Sequence, residues 1–277
     1  MRLTPVALLS LVLVALAIPI GAQAPPAFTE RDRIAAISAL SGGVTAGTAR
    51  DEIGSTPKTV TGFLTPDKST IYVQLLATTF RQGGRSQHLI VLAGHSVDAG
   101  VMDYRQAAQA EIFVGVSEFR NGRWQMTSKG APLATTGFNG RNPVVALRKI
   151  GGDRHALELQ SNLWSEGSSL SIVNLYDLRG AEPAELLRVV TDADDCGLSD
   201  SCFSFQGAFR IDPKPGALTY DARLELTGTY RSAAGGFGGI PANAPFVLKL
   251  VNGTYTPVLT TPARRALWQA VQSPWER

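Results

Sequence analysis

Residues 89–98, Leu-Ile-Val-Leu-Ala-Gly-His-Ser-Val-Asp, carry a hydrophobic run into Gly94-His95-Ser96, as a nucleophile elbow does when it presents its serine at the top of an α/β-hydrolase sheet. Asp98 stands where the second glycine of an elbow would let a helix pass close to the strand. The base would have to be His155, itself in a strand-like run, and the chain lacks the alternating strand and helix pattern of such a sheet. The expectation for Ser96 is a strand-end loop that uses small polar residues, with serine-hydrolase catalysis as the alternative.

His88, His95 and His155 are the three histidines of the chain, and no two have the close spacing that sets zinc ligands on one helix face. The run Asp192-Ala-Asp194-Asp195-Cys196-Gly197 places carboxylates at alternate positions before a glycine, as a calcium loop begins, which makes Asp192, Asp194 and Asp200 the candidate ligands. Against that, Cys196 occupies the third ligand position and Phe203 stands where the closing glutamate belongs, so a solvated turn is expected. Cys196 and Cys202 are the only cysteines, and in an oxidising compartment they pair most simply with each other. Closing so short a loop stabilises by roughly 2 kcal/mol in the chain-entropy model. No cofactor is indicated.

Glycan hydrolysis needs two carboxylates facing each other across a cleft, and Glu111, Glu118, Glu158 and Glu166 are the candidates. Glu158 and Glu166 flank Trp164, whose ring offers a stacking surface for a sugar. The competing expectation is that tryptophans and phenylalanines mostly fill the core. Between two strand-like segments, the glycine-rich stretch 228–245 reads as a long loop that either presents Phe237 to a ligand or is an excursion without a binding role. No helix start or lysine follows its glycines, so phosphate capture is not indicated.

The elements that must position these groups are mainly strands. Leu218, Tyr220, Ala222, Leu224 and Leu226 alternate with Thr219, Asp221, Arg223, Glu225 and Thr227, the period of a half-buried antiparallel strand. Further strands are expected at 70–76, 88–93, 111–119, 124–127, 144–148, 156–160, 170–178, 186–191, 203–210 and 245–251. Asn121-Gly122 and Asn252-Gly253 are hairpin turns, because both residues tolerate the positive φ that a tight primed turn demands. Thr29 and Asp32 form a capping box for a helix over 28–43, and a second helix is expected over 262–271. The fold class is all-β, a mainly antiparallel meander of hairpins in a two-sheet assembly with short terminal helices, and a propeller is the alternative.

Met1-Arg2 and an apolar run over 6–20, followed by small residues, have the layout of a secretory signal peptide, cut after Ala22 or Ala24. The run is shorter than the roughly 20 residues of a membrane span, so no span is expected in the mature chain. The organisation expected is a signal peptide over 1–24, a helix and linker over 25–58, a β-rich domain over 59–260 and a helical tail over 261–277. A net charge of +3 with interspersed signs points to no nucleic-acid partner.

From Gln87 to Pro257 the chain resembles a group of uncharacterised secreted or periplasmic β-rich proteins of Gram-negative bacteria. The resemblance is carried by His88-Leu-Ile-Val-Leu-Ala93, Glu111-Ile-Phe-Val-Gly115, Asn121-Gly-Arg-Trp124, Gly151-Gly-Asp-Arg-His155 and Leu175-Tyr176. It implies export, to the periplasm or outside the cell, and β structure. Similar proteins carry a Cys-His-x-Cys segment where this chain has Tyr104-Arg-Gln-Ala-Ala-Gln-Ala110, so no metal or redox role transfers. With no complete catalytic constellation in view, the chain reads as an exported, non-catalytic protein that binds a protein or glycan partner through its surface. A secreted ester or glycan hydrolase and an enzyme inhibitor are the alternatives.

Overall fold

The computed structural model describes residues 25–52, 57–103, 110–129, 132–136, 142–165, 167–196, 202–232, 236–242 and 245–274. The expected signal peptide, Glu166 and Asp200 lie outside them. Helix α1 (Glu30–Ser41) starts at Thr29, whose side chain and that of Asp32 cap each other's backbone N–H groups, and ends at the left-handed Gly42. The capping box is the one expected from the residue types.

The first sheet comprises β1 (Thr45–Asp51), β2 (Lys58–Leu64), β3 (Thr70–Gln82), β4 (Arg85–Asp98), β5 (Val101–Met102), β6 (Ala110–Arg120), β7 (Arg123–Lys129) and β8 (Ala134–Thr136). Strand β1 lies in the stretch expected as a linker. Its order is β3-β2-β1-β5-β4-β6-β7, and β3 also pairs with β4, so the first five strands close into a small barrel. Ala49, Ile71 and Met102 fill that barrel with Val60, Leu64 and Val97. The curvature is tight enough that a Cβ at Gly62 would lie 2.4 Å from the Tyr72 carbonyl oxygen, which is why glycine faces glycine where Gly62 pairs with Gly47.

The second sheet comprises β9 (Val144–Gly151), β10 (Arg154–Ser165), β11 (Ser168–Asp177), β12 (Ala184–Asp194), β13 (Ser204–Asp212), β14 (Asp221–Arg231), β15 (Phe237–Gly239), β16 (Phe246–Val251) and β17 (Thr254–Pro257). Its strands run β17-β16-β14-β13-β12-β11-β10-β9, with β15 on β14. The architecture is thus all-β in two sheets rather than blades, with every strand pair antiparallel except the short β1–β5 contact. Both Asn-Gly hairpins form, with φ of 51° and 78° at Asn121 and Gly122 and 50° and 87° at Asn252 and Gly253.

The sheets meet through Leu89, Val91 and Ala93 of β4 and Ile112, Val114 and Val116 of β6, packed on Leu157 and Leu159 of β10 and Tyr176 of β11. The opposite face of β4 and β6 offers Ile90, Leu92 and Phe113, which α1 covers with Ala36 and Ile37. A bulge between Gln74 and Leu76 turns β3 over, so Tyr72 lies under α1 while Phe80 faces the second sheet. Phe28, just ahead of α1, stacks on the buried His88 ring at 3.7 Å, and the Nδ1 of His88 lies 2.8 Å from the Thr79 hydroxyl.

The second sheet curls on itself. Tyr220 donates its N–H to the Ile150 carbonyl and Gly152 donates to that of Ala217, drawing residues 217–220 toward the β9–β10 turn. Strand β14 therefore begins at Asp221, and Leu218, expected on the buried face, is 89 % exposed. Helix α2 (Pro262–Gln272) closes the curl with Leu267 and Val271. Its last residue, Gln272, accepts from the Val190 N–H at 2.7 Å and donates to the Val190 carbonyl at 3.2 Å. Those backbone groups lie beside the bulge where β11 and β12 slip register between Ser171 and Ile172.

Two stability outcomes follow from these contacts. Gln272→Ala leaves the Val190 backbone groups unpaired and lowers unfolding free energy by about 1–3 kcal/mol, measurable by denaturant titration. Burial lowers the His88 pKa to about 4 from 6.5, so below pH 6.5 the unfolded chain takes up a proton that the folded chain refuses. Stability is lost as pH falls from 6.5 toward 4, on the order of 2 kcal/mol between pH 7 and pH 5 from this ring, and His88→Phe flattens the dependence by that amount.

Candidate functional site

The two sheets do not end flush. Where the β3–β4 and β6–β7 hairpins reach past the shared core, they face the β9–β10 turn and the segment following β11 across a cleft of about 620 Å³. Gly83 and Gly84, with φ of 59° and 72°, make the β3–β4 turn. Gln87 pairs with Glu118 across β4 and β6, and Glu118 pairs with Gln125 across β6 and β7, so these three residues form a row on one face. Arg85 and Arg120 each lie two residues toward the hairpin tips, on that same face.

Glu118 is the anchor of this wall. Its side chain is only 5 % exposed, while Arg120 of the same strand reaches it at 2.7 Å and Arg85 of the neighbouring β4 at 3.2 Å. The Arg120 hydrogen bond, with the nearby Arg85 charge, holds the Glu118 carboxyl below its ordinary range despite burial. The two guanidinium groups are about half exposed. They are therefore held in place from below and open to solvent from above.

The opposite wall repeats the arrangement. Asp177 at the end of β11 is 12 % exposed and accepts from Arg154 at 2.6 Å and from Arg179 at 2.8 Å. Burial pushes its pKa up, but the bonds from Arg179 and Arg154 prevail and the net direction is down. Arg154 is buried, whereas Arg179 is about half exposed and lines the cleft. Gly84 donates its N–H to Asp153 at 3.1 Å, and His155 donates its N–H to the Gln82 side-chain oxygen at 2.6 Å, at the bulge between Arg154 and His155. The two walls are thus tied together at the base.

Two amide atoms of residues that line the cleft have no hydrogen-bond partner among the described residues: Gln82 Nε2 and Gln87 Oε1, both buried. Gln82 as a whole is 3 % exposed. A buried amide atom without a partner costs about 1–3 kcal/mol.

The residues singled out from sequence fall elsewhere, apart from Glu118. Ser96 lies in β4, which runs through to Asp98 with neither elbow nor loop at this point, and it pairs with Thr70. His155 is bonded at Gln82, the far end of the 13-residue β3, on the order of 40 Å along the strand at about 3.3 Å per residue. Ser96 and His155 therefore share no site. Glu111 pairs with Gly94, away from the cleft, and Glu158 is taken up by a two-point ion pair with Arg148.

Cys196 and Cys202 form the expected disulfide. Asp192 and Asp194 lie in β12, and each carboxylate is spent locally: Asp192 accepts from Thr191, and Asp194 accepts from the Cys196 N–H and the Ser204 hydroxyl. Asp195 and the two cysteine sulfurs lie within 4.8 Å of one another, but disulfide sulfurs are not the thiolates a metal requires. Trp164 is half exposed at the end of β10 remote from the cleft, and Phe237 is 45 % exposed beneath the Arg231 guanidinium. No helix among the described residues is long and apolar enough to cross a membrane.

Sequence reasoning missed Gln82, Arg85, Arg120, Asp177 and Arg179 as a group. The legible signal was Arg85-x-Gln87 and Glu118-x-Arg120 flanking two glycine turns, but only the β4–β6 pairing places them on one face. Asp177→Ala strips the buried Arg154 of its counter-charge and is expected to cost about 3–5 kcal/mol, read as a lower denaturation midpoint with the slope unchanged. No family model matches the chain, and neither does any curated protein or solved structure.

Proposed function

We propose that the protein is an exported, non-catalytic binding protein of the cell envelope or exterior, and that it captures an anionic ligand in the cleft between its two sheets. The observation that carries this reading is the presentation of Arg85, Arg120 and Arg179 around one cleft, each held by a carboxylate that is itself almost fully buried. An ordinary surface ion pair leaves both partners in water and contributes little. Here the acid is sunk and the guanidinium raised, so the side-chain entropy of ordering three arginines is spent on folding rather than on binding.

A guanidinium bonded through one or two of its five N–H groups retains donors for a ligand oxygen. The same geometry argues against acid–base catalysis in the cleft, because Glu118 and Asp177 are held in their charged forms and have no proton to give at neutral pH. A hydrolase would need a poised acid or an activated nucleophile, and the Ser96 and His155 positions do not supply one. Export rests on the amino-terminal residue pattern and on the disulfide, which suits an oxidising compartment.

The test is a thermal-shift panel on the oxidised mature chain with trigalacturonate, inorganic phosphate and hexaglutamate. Ligands that prefer the folded state raise the melting temperature by mass action. At least one probe is expected to produce a shift that shrinks with added salt, vanishes in the Arg85→Ala/Arg179→Ala double variant and persists in Arg210→Ala. That double variant leaves each buried carboxylate one arginine partner. Turnover of ester or glycan substrates, or a shift indifferent to the double substitution, overturns the proposal.

A further inference from the structure

His88 is a buried titratable group that the cleft does not use. It faces Phe28 and α1, on the side of β4 opposite Gln87, and is 8 % exposed. The Thr79 hydroxyl takes up its Nδ1 at 2.8 Å, while its Nε2 is buried with no partner among the described residues. A neutral ring tolerates this arrangement: protonated at Nδ1, it donates to Thr79 and leaves Nε2 a bare acceptor. A charged ring carries an N–H at both nitrogens, and the one at Nε2 then lacks an acceptor in a place closed to water.

The groups around the ring offer no remedy. Strand β3 contributes Thr79, with Arg81 turned to the Gly84 carbonyl, and β6 places Ser117 opposite His88. Strand β7 contributes Trp124, whose Nε1–H is itself a buried donor without a partner among the described residues. On the first turn of α1, Glu30 and Arg33 pair with each other, and Asp32 accepts from the Thr29 N–H and hydroxyl with Arg31 nearby. Burial lowers the His88 pKa to about 4, although the Asp32 charge favours the protonated ring.

One residue seals this place from the outside. Phe28 lies flat on the His88 ring, with centroids 3.7 Å apart and 5° between the planes, and meets Trp124 edge-on at 5.3 Å. It is only partly buried and precedes α1, whose buried residues, Ala36 and Ile37, lie about two turns further on. The remaining walls are strands of one sheet. Lifting Phe28 with the first helical turn therefore gives Nε2 access to water at the expense of one ring stack, and a chain opens first at such weakly buried ends.

We propose that residues 25–33 form an acid-released strap: Phe28 seals His88 at neutral pH, and protonation of His88 expels Phe28 and the first turn of α1 while both sheets stay folded. The direction follows from linkage. With the strap open, His88 returns to its ordinary pKa near 6.5, so the open form takes up a proton that the closed form refuses. Opening thereby gains about twenty-fold between pH 7 and pH 5. Gln87 and Glu118 face the other way, so strap release stands apart from whatever the cleft binds.

Amide hydrogen exchange of the mature chain, followed by NMR with and without added urea, tests the strap. The amides of Asp32 and Arg33 bond to Thr29. Corrected for intrinsic exchange, their protection is expected to fall about twenty-fold from pH 7 to pH 5, and urea is expected to change it little because the opening exposes little surface. Thr29 holds the Asp32 carboxyl below its ordinary range, so the helix cap stays charged throughout this interval. His88→Phe keeps the stack but takes no proton, and its change is expected to stay below about two-fold. Should that variant fold poorly, Phe28→Ala serves instead: with the seal removed, the His88 midpoint, read from its ring Cε1–H resonance, is expected to rise by about one pH unit or more. Exchange at Asp32 and Arg33 that ignores pH, a urea dependence there as steep as that of residues 89–93, a pH response retained in His88→Phe, or a midpoint unmoved by Phe28→Ala overturns the strap.

Discussion

Burial of β4 on both faces is the constraint from which most of the structure follows. Residues 89–93 alternate between a face that meets the second sheet and a face that meets α1, so neither side of the strand is left to water. A run of this kind cannot sit at the surface of a one-layer sheet without exposing half its apolar groups. It requires a layer above and a layer below, and α1 and the β9–β11 region of the second sheet supply them. Gly115 on the neighbouring β6 shows how closely the upper layer fits, since a Cβ there would lie 2.8 Å from a Leu40 methyl group.

The same doubly covered strand explains why the cleft lies where it does. Strand β4 continues beyond its apolar centre into Arg85, Ser86 and Gln87, and β6 continues into Glu118, Phe119 and Arg120. Past the shared core, the inward face of these strands becomes polar because it no longer has a hydrophobic partner. The sheets are still held together there, but by backbone hydrogen bonds from Gly84 and His155 rather than by packing. A gap lined with polar groups is the result.

Within that gap the buried carboxylates have a structural task that also sets the chemistry of the surface. An isolated Glu118 or Asp177 would be costly to bury as an anion and would take up a proton instead. Two guanidinium groups on each keep them charged, and the geometry fixes the arginines in return. The bulges in β3 and at the start of β10 matter for the same reason, because each brings a group to its partner: the Phe80 side chain to the second sheet, and the His155 backbone N–H to Gln82.

Much of the local structure was legible in the chain: the capping box at Thr29 and Asp32, both Asn-Gly turns, the alternation of β14 and the pairing of Cys196 with Cys202. These depend on residues a few positions apart, whose conformational preferences act before any tertiary contact exists. The polar continuation of β3, with Thr78, Thr79 and Arg81, hid half of that strand, and the Gly83-Gly84 turn carries no asparagine to announce it. Fold class was thus determined by sequence alone, whereas the cleft was decided by tertiary structure. Arg85, Glu118 and Arg179 are ordinary surface residue types in the linear chain, and they become a site only when the register of β4 on β6 and the packing of one sheet on the other bring together groups from 82 to 181. Contacts between distant segments are set by the burial of shared apolar surface and by the bulges that adjust register, and neither has a signature in the residues of the site itself.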